Sequence, residues 1–233
     1  MDRKIRAGIL VASVMAVLGW QGVHAQGQPP PGQPPAGRAG GGRASAPAPD
    51  PTKPAKLTIT TGSRARYKVR EQLAGISFPS DAVGTTESVT GAIIVNPDGS
   101  IAPESKLVVD LKTLTSDQSM RDGYIQQRTL ETDKFATLVI VPKRAVGLPA
   151  PLPVGNQAQA GFQLVTDMTL HGVTKEVTWN VVSTFGNATI GGRATTTIVF
   201  SDFNLTKPTL ARLLSVDDKI QLEIEFRCTR TAM

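Results

Sequence analysis

Residues 220–228 read Ile220-Gln221-Leu222-Glu223-Ile224-Glu225-Phe226-Arg227-Cys228, apolar and polar side chains in strict alternation. A period of two puts successive side chains on opposite faces of an extended chain, so this stretch is a strand with one buried and one wet face. Working backward, Phe162-Gln163-Leu164-Val165-Thr166-Asp167-Met168-Thr169-Leu170 follows the same pattern, as does Val177-Thr178-Trp179-Asn180-Val181. Leu107-Val108-Val109-Asp110-Leu111 follows it with one lapse. Weaker strand candidates are residues 66–70, 89–95, 138–141 and 194–200. Turn chemistry separates them at Asn96-Pro97-Asp98-Gly99, His171-Gly172 and Gly191-Gly192. Helical periodicity is confined to a short segment around residues 119–129. The pattern predicts an all-β chain of eight or nine consecutive antiparallel strands. Strands with one apolar face close into a sandwich or a barrel. A barrel of about eight strands has an interior wide enough for its own side chains or one slender ligand.

The N-terminal quarter reads differently. Asp2-Arg3-Lys4-Ile5-Arg6 is a short, net-positive start, followed by an uncharged run over residues 7–25 that ends in Val23-His24-Ala25. Basic start, apolar middle and small-residue exit describe a secretory signal peptide over residues 1–25. Its most apolar part, residues 7–18, is shorter than the roughly 20 residues that span a bilayer. Residues 26–56 are Pro, Gly, Ala, Gln and Arg with hardly a large apolar side chain. They bury too little surface to offset the entropy of ordering, and read as a disordered tether ahead of a folded domain over residues 57–233.

The formal charge is +6. The leader carries three basic and one acidic residue, and the tether four and one, which leaves 18 basic and 17 acidic residues from Leu57 onward. The basic character lies in the ends, so nothing marks the folded part for nucleic acid. His171 is the sole histidine beyond the leader and Cys228 the sole cysteine, so no multi-histidine or thiolate metal site can be assembled. No Gly-x-Ser-x-Gly elbow, Walker loop or dinucleotide fingerprint is present, and no cofactor is implied. Arg64, Arg66, Lys68 and Arg70 share one parity, opposite Tyr67 and Val69. They read as a charged outer face, with contact to an anionic membrane surface as the sharper alternative.

Four motifs are more specific. The first is Val109-Asp110 with a Ser/Thr-rich run over residues 112–119, then Arg121-Asp122-Gly123 and Leu130-Glu131-Thr132-Asp133-Lys134-Phe135. The second is Leu170-His171-Gly172-Val173-Thr174-Lys175-Glu176-Val177; the last two are Ser201-Asp202-Phe203 and Val216-Asp217-Asp218-Lys219-Ile220. In this order and spacing they resemble the YceI-like family, over nearly all of residues 57–230. Ala136 stands where that family usually has Pro, and Asn204 where it usually has Gly; Asn tolerates the left-handed conformation that such a turn requires. Residues 146–160, rich in Pro, Gly and Gln, resemble a lengthened hairpin loop.

The resemblance implies an antiparallel, lipocalin-like barrel of about eight strands with one or two short helices, in the periplasm or outside the cell. It implies a non-enzymatic carrier or sequestering protein for a long-chain isoprenoid lipid, a polyprenyl pyrophosphate or an isoprenoid quinone. Candidate ligand-binding residues are Arg121 and Asp122, for a headgroup, and Phe135, Phe162, Leu164, Met168, Trp179, Phe200 and Phe203, for the lumen or its mouth. Arg121-Asp122 has an equally concrete structural reading as an ion pair and helix cap. Transient membrane contact fits such a carrier, and the oligomeric state is open, a homodimer included. Two other classes stay open: an interaction module whose barrel is filled by its own side chains, and an enzyme acting on an isoprenoid lipid. N-terminal sequencing of exported protein is expected to start at Gln26; an intact Met1 would make the leader an anchor instead.

Overall fold

The computed structural model describes residues 49–155, 158–209 and 211–233. The leader and residues 26–48 of the tether lie outside the described residues. Strand β1 (Ala55–Ile59) takes in the last two tether positions. It runs on into β2 (Arg64–Leu73) across a break at residues 60–63. Gly62 turns there at φ 85°, and the buried Ser63 hydroxyl donates to Thr60 O at 2.8 Å while accepting from Arg227 N at 2.9 Å. β3 (Ser80–Thr86) and β4 (Val89–Val95) form a second interrupted strand, and β5 (Lys106–Asp110) and β6 (Thr115–Ser116) a third. After α1 (Ser119–Tyr124) and one π-helical turn (Ile125–Thr129) come β7 (Thr137–Val146) and β8 (Ala158–Leu170). Then follow β9 (Val173–Phe185), β10 (Thr189–Val199), a 3₁₀ turn (Phe200–Phe203) and β11 (Leu213–Ala232).

Every pairing is antiparallel, and counting each interrupted strand once leaves eight, each paired with its neighbours in sequence. The last meets the first. β11 pairs along one side with β10, from Val199↔Lys219 to Thr189↔Thr229. Along the other it pairs with β2, from Leu213↔Leu73 to Glu225↔Arg64, and then with β1, from Ile59↔Cys228 to Ala55↔Ala232. The result is a closed eight-stranded barrel.

Alternation becomes inside and outside. Trp179, Val181, Ile224 and Cys228 point inward and are buried. The cations of β2 point out and meet carboxylates across the ladder: Arg64 with Glu225, Arg66 with Glu223 and Glu225, Arg70 with Asp81. Such exposed pairs contribute little stability, but they dress the outer wall.

The turns at Asn96–Gly99 and His171-Gly172 form as the residue types predict; His171 (φ 50°) and Gly172 (φ 75°) make the two-residue hairpin between β8 and β9. Gly191-Gly192 do not make a turn. They lie inside β10, and the turn is at residues 186–188, where Gly186 N donates to Thr189 O at 2.9 Å. A Cβ on Gly192 would run into Val182 O and the Phe226 ring, so glycine there admits a close neighbour rather than a bend. At Gly91, with φ 115°, a Cβ would strike Lys106 O of the paired strand. Gly91→Ala is expected to destabilise the barrel by about 1–3 kcal/mol through backbone strain, seen as a lower urea midpoint; an unchanged midpoint would mean that β4 and β5 separate freely there.

Candidate functional site

The barrel has two ends. The helix end carries the β2–β3 turn, α1, the π turn, the His171 hairpin and the segment between β10 and β11. The other, the loop end, carries the turns at residues 96–105 and 186–188 and the described part of the β7–β8 loop, residues 147–155. Between them the lumen holds two apolar cavities, of about 120 Å³ toward the helix end and about 80 Å³ toward the loop end.

Trp179 and Ile224 line both, so these side chains stand between the cavities. Trp179 is 2% exposed, and its indole N–H has no hydrogen-bond partner. A buried donor without an acceptor is unusual in packed protein.

The loop-end cavity is walled by Ile93, Phe162, Leu164, Phe185 and Cys228, with Leu148 and Leu152 reaching in from the long β7–β8 loop. Arg230, buried on β11, holds that loop by donating from Nη1 to Pro153 O at 2.6 Å. Burial pushes the Cys228 thiol up to about 12, so it behaves as one more small apolar group in the wall.

The helix-end cavity has a polar rim. Val69 and Glu71 follow Tyr67 at the inward parity of β2, and Arg121 descends from α1 to meet Glu71 at 2.6 Å. Both side chains are more than nine-tenths buried. Arg121 also holds Asp117 at 2.6 Å. Burial opposes the guanidinium charge, yet the hydrogen bond to Asp117 and the charges of Glu71 and Asp117 outweigh it and hold Arg121 above its ordinary value. Asp122 is not its partner: that carboxylate accepts from Ser116 N at 2.9 Å and Ser116 Oγ at 2.6 Å, closing the turn before α1. The helix cap expected of this pair is absent, since Gln118 precedes α1 without a side-chain cap bond.

Of the candidate residues, Arg121, Trp179 and Phe200 line the helix-end cavity, and Phe162, Leu164 and Trp179 the loop-end one. Asp122, Phe135, Met168 and Phe203 line neither. Met168 and Phe203 are fully enclosed in the core. Phe135 packs edge-on against His171, ring centres 4.6 Å apart. His171 itself bonds Glu131 Oε2 at 2.9 Å and Phe203 O at 3.2 Å, so it ties the hairpin to the π-turn exit and the 3₁₀ turn. Among the described residues, no group of three or more His, Cys, Asp or Glu is arranged to hold a metal. Residue-by-residue reading missed Tyr67, Glu71 and Thr129. The β2 parity that set four cations outside also put Tyr67 and Glu71 inside, which was the available signal.

A closed antiparallel barrel with an apolar, divided lumen and one polar rim is the architecture of a lipocalin-like protein. Residues 58–228 match the YceI-like domain, and the chain belongs to that family. Among solved structures it is similar to a polyisoprenoid binding domain from Saccharophagus degradans implicated in plant cell wall breakdown. The two share 14% identity over 76% of this chain and 98% of that one, with a TM-score of 0.56. It is also similar to BcnA of Burkholderia cenocepacia, at 15% identity over 71% and 95% of the chains with a TM-score of 0.54. The YceI protein of Campylobacter jejuni shares 17% identity over 69% and 91%, with a TM-score of 0.51. No curated protein sequence matches the chain.

Arg121→Met would leave Glu71 buried without its partner and is expected to cost about 3–5 kcal/mol, whereas replacing both, with Glu71→Leu, should recover most of the loss. Urea denaturation of the wild type, the single variant and the double variant checks this. Equal stability of wild type and Arg121→Met would show that Glu71 reaches water.

Proposed function

We propose that the barrel carries or sequesters a long-chain isoprenoid lipid in its lumen. The observation that carries this reading is the pair of apolar cavities stacked along the barrel with a single ring, Trp179, between them. Each methylene moved from water into such a wall contributes about 0.8 kcal/mol, and a slender hydrocarbon needs few polar contacts to be held. Membership of the YceI-like family and the resemblance to a polyisoprenoid binding domain support the same ligand class. The reading includes export to the periplasm or beyond, and transient contact with the membrane from which such a lipid comes.

Cavity size sharpens the proposal. A closed apolar cavity of about 150 Å³ admits a molecule the size of benzene. The two cavities as they stand therefore take short segments of chain, and a long prenyl tail must join them by turning the Trp179 ring aside and packing along its face. The same dimensions favour one rival, a barrel filled by its own side chains that acts as an interaction module. An enzyme is disfavoured because both ring nitrogens of His171 are already engaged. Retained chains gain affinity with each buried methylene but lose chain freedom, so moderate, length-dependent binding is expected.

Mass spectrometry of an organic extract from protein purified without denaturation is expected to find a stoichiometric polyprenyl species. Its absence, with a bare native mass after incubation with quinones and prenyl phosphates, would favour the filled-barrel module. Trp179→Ala should merge the cavities and raise the lipid dissociation rate about tenfold or more, a loss of roughly 1.4 kcal/mol of contact. An unchanged rate would place the lipid elsewhere.

A further inference from the structure

Two hydroxyls at the helix-end cavity lack partners. Thr129, on the π turn, is 5% exposed, lines the cavity and makes no hydrogen bond through Oγ1. The Tyr67 hydroxyl is likewise buried, unpartnered and part of the lining. Its ring lies across Gly84 of the paired strand, where any Cβ would collide with it. Burial raises the Tyr67 hydroxyl above its ordinary value, so it stays protonated and able to donate. Buried hydroxyls without partners are rare in packed protein, and two at one cavity ask for an oxygen from outside.

The charges beside them point the same way. Arg121, the cation at this rim that could meet an anion, is already held by Glu71 and Asp117 at 2.6 Å each. Arg66, the other cation of the lining, is bound to Glu223 and Glu225 on the outward side of the wall. A phosphate placed here would meet the carboxylates of Glu71 and Glu223, and both guanidiniums of the lining, Arg66 and Arg121, are already paired. Its own desolvation would go uncompensated. The Trp179 indole N–H, also unpartnered, is neutral as well, and the Arg66 Nε–H, which makes no hydrogen bond, lies 3.0 Å from Glu223 in an ion pair.

We infer that the helix-end cavity selects a neutral oxygen headgroup, of the kind a quinone carbonyl or a free prenol presents, and rejects prenyl phosphates. Tyr67 donates to that oxygen and Thr129 is its second partner, while Arg121 stays with Glu71 as part of the wall. This rests on the lumen being a lipid site, and it narrows the headgroup that site accepts.

The test incubates the full chain with an equimolar mixture of three lipids matched in isoprene number: a ubiquinone, a polyprenyl diphosphate and the bare hydrocarbon. Native mass spectrometry then measures the retained ratio. The quinone should exceed each of the others about tenfold, and Tyr67→Phe and Thr129→Val should each cut its advantage over hydrocarbon about fivefold, the worth of one hydrogen bond. Hydrocarbon retention should not change in either variant. Asp117→Asn and Glu71→Gln each remove a countercharge from Arg121 and should raise diphosphate retention, with melting curves confirming that the variants are folded. Preference for the diphosphate in the wild type, or equal retention of quinone and hydrocarbon, would overturn the inference. Retention of none of the three would overturn the lumen reading itself.

Discussion

The fold depends on the ladder that β11 makes with β1 and β2. A sheet with one apolar face exposes that face and two unpaired edges unless something covers them. Here twenty residues of one strand complete both tasks, pairing with β10 on one side and with the interrupted first strand on the other. Closure turns the apolar face into a lumen and removes the edges. It also brings residues distant in sequence into register, Glu71 of β2 near one end and Arg230 of β11 near the other.

Closure has a geometric cost that the chain meets with polar residues in specific places. The first three strands are each interrupted, and the interruptions are bound by buried hydroxyls rather than left open. Ser63 serves the first break, Thr86 serves the second by accepting from Ser88 N at 3.0 Å, and the bond of Thr86 to Thr113 at 2.6 Å ties in the third. These groups are satisfied and structural. The contrast gives Tyr67, Thr129 and Trp179 their meaning, because the same chain that satisfies its buried hydroxyls elsewhere leaves polar atoms open where they face the cavities. The Glu71–Arg121 pair belongs with the satisfied groups: it stands at the rim of the helix-end cavity with each charge already met by the other.

Much of the barrel was legible residue by residue. Ile220 to Cys228 announced its own strand, and the weaker segments around Tyr67, Val89, Leu138 and Ala194 all proved to be strands. β3, with the sequence Ser80-Asp81-Ala82-Val83-Gly84-Thr85-Thr86, was illegible because its inward positions are Ala, Gly and Thr, small enough to admit the Tyr67 ring. β1 hid at the end of a Pro-rich run. The Gly191-Gly192 pair misled because glycine signals backbone bending and close packing alike, and only the neighbouring Phe226 and Val182 distinguish the two.

The candidate site was legible as a direction and not as a set. Alternation determines which side chains point inward, since a strand has only two faces, and so Trp179, Leu164 and Phe162 could be named as lumen residues from their parity alone. Which inward residues face open space is a different question. Met168 and Trp179 share inward parity, yet one is enclosed and the other stands between two cavities, because that depends on what the facing strands leave unfilled. Likewise Arg121 and Asp122 adjoin in sequence but part in space: the start of a helix sends consecutive side chains in different directions, one to Glu71 fifty residues away and one back to Ser116. The amino-acid sequence by itself determined strand, face and family, which are local properties of residue type and spacing. Tertiary structure alone decided where the cavities lie and which polar groups are spent, because both are settled by contacts between strands that closure brings together.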